Sequence, residues 1–159
     1  MTISLKKILF VCTGNSCRSV MAEGLLRHLL SEKGHTDIQV LSAGVSAMAG
    51  FGPTQETVEV MQKEGIDVSG HMGQPVTREL VERADAIFCM EEFHREMILV
   101  QIPAAEQKVY LLKTFQLDRP MSDPNVQDPI GRSKEVYESC LLTIKQAVER
   151  VVNWLEQQK

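Results

Sequence analysis

Four short runs of mostly apolar, often β-branched residues recur along the chain, separated by stretches in which apolar residues have helical spacing. The runs cover residues 8–11, 38–41, 86–90 and 109–112. Such continuous runs are typical of parallel strands buried on both faces, and parallel neighbours are usually connected by a helix. The alternation predicts an α/β fold with three α/β/α layers around a four-stranded parallel sheet.

The stretches between the runs carry helix start and stop signals. Thr54, Thr77 and Ser133 are expected N-cap residues, and Gly65 is expected just beyond the end of a helix. The helix after Ser133 is predicted to be the longest, because apolar residues recur there at intervals of three or four. A length of 159 residues suits a single domain over residues 1–159 that needs no disulfide or metal for stability.

Composition excludes several classes of protein. With 17 Lys and Arg against 21 Asp and Glu, the net charge is −4, which disfavours a broad nucleic-acid-binding surface. The apolar run near the N-terminus is too short for a signal peptide or a membrane helix, so no membrane partner is expected. Four cysteines are too few for a disulfide framework, which favours a reducing cytoplasm. We expect a monomer or weak dimer.

The segment after the first strand is the first place to look for a ligand, because open α/β sheets bind ligands beyond the carboxyl ends of their strands. A small polar loop there leads into a helix, so backbone N–H groups and the helix N-terminus can form an anion cradle. The residues predicted to bind phosphate are Thr13, Gly14, Asn15, Ser16, Cys17, Arg18 and Ser19. Gly14 and Asn15 are the residue types that most readily adopt positive φ in a tight loop.

Cys12 and Arg18 form a Cys-x5-Arg pattern around this loop. The arginine can grip two phosphate oxygens while the sulfur faces phosphorus, and the cradle together with the Ser19 hydroxyl would stabilise a thiolate. The pattern predicts nucleophilic displacement at phosphorus through a phosphocysteine. The Gly-x4-Gly-Lys-Ser/Thr order of ATP- and GTP-binding loops is absent, so nucleotide binding is not predicted.

Phosphocysteine chemistry also needs a general acid for the leaving group and a base for water. Two Asp-Pro pairs, at Asp123 and Asp128, are candidates, although such pairs often only start turns. Asp128 is preferred because it lies five residues before the Ser133 cap, on a loop that follows the fourth strand.

Three motifs occur in order along the chain: Val-Cys-Thr-Gly-Asn-Ser-Cys-Arg-Ser at residues 11–19, Ser-Ala-Gly at 42–44 and Asp-Pro at 128–129. With them the chain resembles the low-molecular-weight protein tyrosine phosphatase family along essentially its whole length. The resemblance implies that Cys12 is the nucleophile, Arg18 the phosphate clamp and Asp128 the general acid. It implies no cofactor and no metal.

The same resemblance implies supporting roles for other residues. Asn15, Ser19 and Ser42 are expected to hold the loop and the thiolate in place. Cys17 matches the family's second loop cysteine, which can form a reversible disulfide with the nucleophile and protect it from over-oxidation.

The sequence departs from the family at the substrate pocket. Phosphotyrosine-specific members carry an aromatic residue after Asp-Pro and another after Ser-Ala-Gly, and such residues stack on the substrate ring. Here the corresponding segments offer Ile130, Met48 and Phe51, with Ser16 as a fourth predicted pocket residue. We therefore expect a phosphotyrosine-type protein phosphatase, with a protein arginine phosphatase of the same mechanism as the alternative, since bacterial arginine phosphatases share these traits and have Thr in place of Ser16.

Two further functions are weighed. Thioredoxin-linked arsenate reductases share the loop motif but need two more cysteines on a mobile loop after the third strand, where only Cys89 occurs, inside the strand. The second of these functions is a protein that binds phosphate or phosphorylated residues without catalysing a reaction. No histidine has metal-site spacing, so His28, His35, His71 and His94 are predicted to lie on the surface. The acidic pair Glu91 and Glu92 is expected to be a solvated helix start.

Overall fold

The computed structural model describes residues 4–158, so the predicted domain ends at residues 1 and 159 lie outside the described part of the chain. Strands and helices alternate as the sequence predicts. The strands are β1 (Lys7–Cys12), β2 (Gln39–Gly44), β3 (Ala86–Cys89) and β4 (Val109–Leu111). The helices are α1 (Arg18–Glu32), α2 (Gln55–Lys63), α3 (Arg78–Arg83), α4 (Glu92–Gln101) and α5 (Lys134–Gln157), with a 3-10 helix at Pro103–Lys108. The predicted α/β class is confirmed.

The four strands form one parallel sheet in the order β2-β1-β3-β4. The chain runs from β1 to β2 on one side and then crosses to the other side of β1 to form β3. Strand order therefore reverses between β1 and β3, and this reversal is where open α/β sheets bind ligands. Cys12 is the last residue of β1 and lies at that point.

Side chains of β1 alternate between two apolar layers. Ile8 and Phe10 pack into the core shared with α1, α2 and α5, whereas Leu9 and Val11 pack into the core shared with α3 and α4. Cys12 continues the Ile8 and Phe10 series, so its side chain lies on the α1 side of the sheet, where the loop begins. This alternation gives the predicted three layers.

The predicted helix caps are present. The side chains of Thr54, Thr77 and Ser133 each accept a hydrogen bond from the backbone N–H three residues later. Gly65 has φ of 76°, as expected for a glycine beyond a helix end. Within residues 4–158, no helix is both long enough and apolar enough to cross a membrane.

The second strand differs from its prediction, because it continues past residue 41 to Gly44. Ser42 pairs with Phe10 and Gly44 with Cys12, so this extension lies directly beside the end of β1. Small polar residues and glycine are depleted in strands, which is why the apolar pattern does not reveal it. The extension brings Ser42 and Gly44 to the loop that follows Cys12.

Candidate active site

The loop between β1 and α1 is held from outside through its carbonyl groups. Backbone N–H groups of Val45 and Thr54 donate to the carbonyls of Cys12 and Ser16, at 2.9 Å and 3.1 Å. Ser46 N–H donates to the carbonyl of Thr13 at 2.9 Å. Within the described residues, the loop N–H groups at positions 14, 16 and 17 donate to no protein acceptor. Carbonyls bonded outward and N–H groups left without acceptors, at a helix N-terminus, form an anion-binding arrangement.

Gly44 allows β2 to approach this loop closely. A Cβ at this position would lie 2.8 Å from the backbone nitrogen of Asn15 and would also collide with the carbonyl oxygen of Thr13. Its N–H and C=O groups bond to Gln74 and Val76, so the strand cannot easily move away. Glycine is therefore required here by the close approach of two backbones.

Asn15 is the central brace of the loop. It is fully buried and has φ of 54°, a conformation that asparagine tolerates better than most residues. Its side-chain Nδ2 donates to Ser19 Oγ at 2.7 Å and to Ser42 Oγ at 2.9 Å. Its Oδ1 accepts from the Gln74 N–H at 3.0 Å and lies 3.2 Å from His71 Nε2. Four partners use the whole capacity of this amide and fix the left-handed turn.

The direction of these bonds determines how Ser19 acts on the Cys12 sulfur. Because Ser19 Oγ accepts from Asn15, its own proton is free to be donated, and Cys12 Sγ lies 2.9 Å away. The backbone N–H of Asn15 is a second donor to the same sulfur, at 3.3 Å. Two hydrogen-bond donors directed at one buried sulfur can stabilise negative charge on that sulfur.

Ser42 extends the network away from the loop. It accepts from Asn15 and donates to Glu23 Oε1 at 2.6 Å, and Glu23 Oε2 is ion-paired with Arg27 at 2.7 Å. The hydrogen-bond network through Ser42 therefore extends to Glu23, a residue that was not predicted from the sequence. Glu23 lies four residues after Ser19 on α1, the spacing that places two residues on one face of a helix.

Arg18 is fully buried and held by groups from three other parts of the chain. Its Nη1 donates to Glu91 Oε2 at 2.6 Å and to the carbonyl of Val126 at 2.8 Å. Its Nη2 donates to Thr13 Oγ1 at 3.4 Å and lies 3.5 Å from Asp128 Oδ2. A guanidinium with partners on both terminal nitrogens has a defined orientation, as a phosphate clamp requires.

Burial alone would lower the pKa of Arg18, but the hydrogen bond to Glu91 and the nearby acidic groups of Cys12 and Asp128 raise it above its ordinary value. The guanidinium therefore stays charged. The prediction that Glu91 is a solvated helix-start residue is wrong, because its carboxylate is bonded to Arg18. Its place just after β3, at the same edge of the sheet as Cys12, is the signal that could have indicated this.

The prediction of a surface position is also wrong for His94, which is fully buried. Its Nδ1 accepts a hydrogen bond from the Glu91 N–H at 3.1 Å, and its Nε2 lies 2.8 Å from Thr13 Oγ1. Burial, and then the charge of Arg18, lower the pKa of His94 to about 4. The neutral ring, with Nδ1 acting as acceptor, carries its proton on Nε2 and donates it to Thr13. His71 is half-buried and contacts Asn15.

Of the two Asp-Pro pairs, the structure brings only Asp128 to Arg18. Asp128 Oδ1 accepts the N–H of Ile130 at 3.1 Å, which orients the carboxyl group, and the side chain remains 41% exposed. Asp123 instead accepts from Asn125 and lies 3.9 Å from Lys113 Nζ. The geometry supports the predicted preference for Asp128.

Cys17 lies buried near the start of α2 and beside α5. Its sulfur is 3.5 Å from both Thr54 Oγ1 and Tyr137 OH. Burial raises the pKa of Tyr137, so its phenol remains a neutral hydrogen-bonding partner. Both Cys12 and Cys17 are free thiols.

The two remaining cysteines are in the core, as predicted for Cys140. Burial raises the pKa of Cys89 and of Cys140 to about 12 each. Cys89 is the last residue of β3, and it is fully buried. A thiol in this environment is a poor partner for disulfide exchange, which argues against the arsenate reductase alternative.

The predicted pocket residues lie on exposed loops. Met48, Phe51 and Ile130 are 65%, 62% and 54% exposed. The loop that carries Met48 and Phe51 is tied to residue 73 by two backbone hydrogen bonds, at 2.7 Å and 2.9 Å. Met72, which was not predicted as a pocket residue, is 68% exposed and lies between His71, which contacts Asn15, and Gly73, which is bonded to this loop.

Comparison with known proteins gives matches over nearly the full length. The sequence matches the family model described as "Low molecular weight phosphotyrosine protein phosphatase" over residues 7–159. A Ralstonia nicotianae protein named "Probable low molecular weight protein-tyrosine-phosphatase EpsP" is 36% identical over 145 residues, which cover 91% of this chain and 92% of that protein. A "Protein-arginine-phosphatase" of Bacillus subtilis is 32% identical over 152 residues, covering 96% and 98%.

A solved structure is similar over the same length. It is the YwlE arginine phosphatase, as a cysteine-to-serine mutant with a phosphorylated active-site serine. Its TM-score is 0.88 at 31% sequence identity, and the match covers 96% of this chain and 97% of that one.

Proposed function

Because the chain belongs to the low molecular weight phosphotyrosine protein phosphatase family and is a cysteine-dependent protein phosphatase, we propose that Cys12 is its nucleophile. Its substrates are phosphorylated proteins, and phosphotyrosine-type esters are the first candidate. The observation that carries the assignment is the pair of donors on the Cys12 sulfur, the Ser19 hydroxyl and the Asn15 N–H, at the end of β1. The family resemblance stated from the three sequence motifs is confirmed.

The first step is an in-line displacement. The Cys12 thiolate attacks phosphorus, so that an S–P bond forms as the P–O bond to the leaving group breaks. Arg18 and the loop N–H groups neutralise the charge on the phosphoryl oxygens. Asp128 gives its proton to the leaving oxygen, which departs as a neutral hydroxyl group.

The second step regenerates the enzyme. Asp128, now a carboxylate, takes a proton from a water molecule as the water oxygen attacks phosphorus and the S–P bond breaks. Inorganic phosphate leaves and Cys12 returns to its thiolate. The exposure of Asp128 beside the buried Arg18 suits both roles, because the carboxyl group must reach a leaving group and then water.

Hydrolysis of para-nitrophenyl phosphate tests this assignment. Turnover should persist in EDTA, vanish in Cys12→Ser, and survive in Cys140→Ser, whose thiol lies in the core. Undiminished turnover by Cys12→Ser would overturn the assignment of the nucleophile.

Phosphotyrosine is favoured by the apolar loop that carries Met48 and Phe51. An exposed phenyl ring close to the loop can stack on a substrate ring, which contributes about 0.5–1.5 kcal/mol beyond area burial. Replacing Phe51 by Ala should therefore lower kcat/KM for a phosphotyrosine peptide several-fold.

Phosphoarginine is the second candidate, and a specific observation favours it. Ile130 follows the Asp128-Pro129 pair, at the position where phosphotyrosine-specific members have an aromatic residue. A protein-arginine-phosphatase is also among the relatives. A side-by-side assay of matched phosphotyrosine and phosphoarginine peptides decides between them. Phe51→Ala serves as the discriminating variant, because a guanidinium substrate should depend less on the ring than a phenol does.

We also propose that Cys17 protects the nucleophile by forming a reversible disulfide with Cys12. Both thiols lie in or beside one short loop, and the polar contacts of the Cys17 sulfur, with Ser16, Thr54 and Tyr137, are weak. Peroxide should inactivate the enzyme reversibly, with thiol reductant restoring activity, and Cys17→Ser should recover much less. Equal recovery of the Cys17→Ser variant would exclude this role. The cytoplasmic location and the monomeric or weakly dimeric state stay predictions.

A further inference from the structure

One buried imidazole joins two separate parts of the site. The Nε2 of His94 is 2.8 Å from Thr13 Oγ1 in the loop, and its Nδ1 accepts from the Glu91 N–H at the start of α4. The ring is fully buried and both of its nitrogens are bonded. A fully buried histidine on α4 therefore fixes the side chain of Thr13, the residue next to the Cys12 nucleophile.

Both residues that His94 fixes also hold Arg18. Thr13 Oγ1 is an acceptor for Arg18 Nη2, at 3.4 Å, and Glu91 Oε2 is an acceptor for Nη1, at 2.6 Å. His94 thus contacts one acceptor residue at each terminal nitrogen, but only at Thr13 does it bond the accepting atom itself, because at Glu91 it bonds the backbone N–H. The remaining partners, the Val126 carbonyl and Asp128, come from the loop before α5.

The hydrogen bond between His94 and Thr13 determines which groups the Thr13 hydroxyl oxygen accepts from. Because the Nδ1 of His94 is occupied as an acceptor, Nε2 carries the proton and donates to Thr13 Oγ1. Oγ1 then accepts from His94 on one side and from Arg18 on the other. Without the His94 donor, the threonine side chain could rotate and leave Arg18 Nη2 with a weaker partner, so the plane of the guanidinium would be less well defined.

We infer that His94 is a positioning residue for Arg18: through the Thr13 hydroxyl it fixes the plane in which the guanidinium meets the phosphoryl oxygens. The inference rests on the proposed function, in which Arg18 holds the transferring phosphoryl group. His94 touches no substrate, so its removal should weaken phosphoryl binding and transition-state stabilisation without changing which residue is the nucleophile.

Two substitutions separate the two bonds of the ring. In His94→Gln the amide nitrogen reaches about as far as Nε2 and can still donate to Thr13, but the acceptor for Glu91 is lost. In His94→Asn the shorter amide can replace Nδ1 as acceptor for the Glu91 N–H, but nothing reaches Thr13. Each variant keeps one hydrogen bond and loses the other, so a purely structural role predicts similar losses of stability and of activity in both.

The positioning role predicts an asymmetric result with para-nitrophenyl phosphate. His94→Gln should keep kcat/KM within about threefold of the unaltered enzyme, whereas His94→Asn should lose about tenfold, as expected for one misdirected hydrogen bond. Inhibition by inorganic phosphate should weaken in parallel in His94→Asn only. Thr13→Val, which removes the hydroxyl and keeps the shape, should reproduce the loss, and adding His94→Asn to it should cost little more.

Two outcomes would overturn the inference. One is a His94→Asn enzyme with unaltered kcat/KM and phosphate inhibition. The other is an equal decline in both variants that follows their free energies of unfolding, which would make His94 a core residue only. If the unaltered protein hydrolysed no phosphate ester, the proposed function would fail instead. That failure appears in the unaltered protein, whereas failure of the inference appears only in the comparison of the His94 variants.

Discussion

The Ser19 hydroxyl donates its proton to the Cys12 sulfur across 2.9 Å, and Asn15 enforces the direction of that bond by donating to the same hydroxyl oxygen. One polar side chain thus acts on the nucleophile through another. Because Asn15 also donates its backbone N–H to the sulfur, the thiolate is held by two donors whose positions depend on a single left-handed residue.

Ser19→Ala should slow both catalysis and alkylation. Loss of a hydrogen bond to a charged sulfur is worth about 1.5–3 kcal/mol, so kcat/KM should fall about tenfold to a hundredfold. Iodoacetate at mildly acidic pH should modify Cys12 more slowly than in the unaltered protein. Ser31→Ala is the matched control, since Ser31 is an exposed serine near the other end of α1. Equal alkylation rates in both variants would contradict the role of Ser19.

Asp128→Asn should lower kcat by about 10²-fold or more, the usual contribution of a general acid. The amide keeps the shape of the side chain but has no proton to give to a leaving oxygen. Asp123→Asn, made in the other Asp-Pro pair, should leave kcat close to unaltered, because Asp123 faces Lys113 rather than Arg18. The reverse ranking in steady-state kinetics would show that the acid is misassigned.

Gly44→Ala, a substitution at the end of β2, should displace the neighbouring loop that follows Cys12. The new Cβ would press on the backbone of Thr13 and Asn15, and both sides are pinned by hydrogen bonds. We expect about 1–3 kcal/mol of destabilisation and a loss of about 10²-fold in kcat/KM from the displaced loop. Gly70→Ala is the control, because a Cβ there meets nothing within 4 Å. Similar unfolding curves and activities for the two variants would count against the close approach.

The buried His94 should make the protein less stable in mild acid. Its pKa is depressed from 6.5 to about 4, mainly by burial and then by Arg18, against the opposing charges of Glu91 and Asp128. The unfolded chain binds a proton first as the pH falls, so stability is complete above pH 6.5 and declines toward pH 4. The contribution is at most ~3 kcal/mol.

Urea unfolding at several pH values measures this decline. His94→Gln should flatten the dependence of the free energy of unfolding on pH over that range. His28→Gln, which replaces an exposed histidine, should leave it as in the unaltered protein. Parallel curves for His94→Gln and the unaltered protein would show that His94 is not the group responsible.

The strands, most helix caps and the Cys12 loop could be predicted because their signals are local. Continuous apolar runs mark buried parallel strands, and Thr54, Thr77 and Ser133 satisfy helix N–H groups within three residues. Asp128 could also be preferred over Asp123 from a local feature of the sequence, because it lies five residues before the helix cap Ser133.

Glu91, His94 and Tyr137 were misread or missed because their roles depend on contacts between distant parts of the chain. Glu91 meets Arg18 from 73 positions away, and Tyr137 meets Cys17 from 120 positions away. A polar residue at a helix start looks solvated when only its neighbours are considered. The order of strands in the sheet, which puts β3 beside β1, shows that the start of α4 faces the loop.

The most direct test of a phosphocysteine mechanism is to trap the intermediate. The enzyme is mixed with para-nitrophenyl phosphate, quenched in acid within one turnover, digested, and mapped by mass spectrometry. We predict a phosphoryl group on the Cys12 thiol, and none on any cysteine of the Cys12→Ala variant, which should also be inactive. Turnover by Cys12→Ala, or a phosphoryl group consistently found on another residue of the unaltered enzyme, would contradict the account.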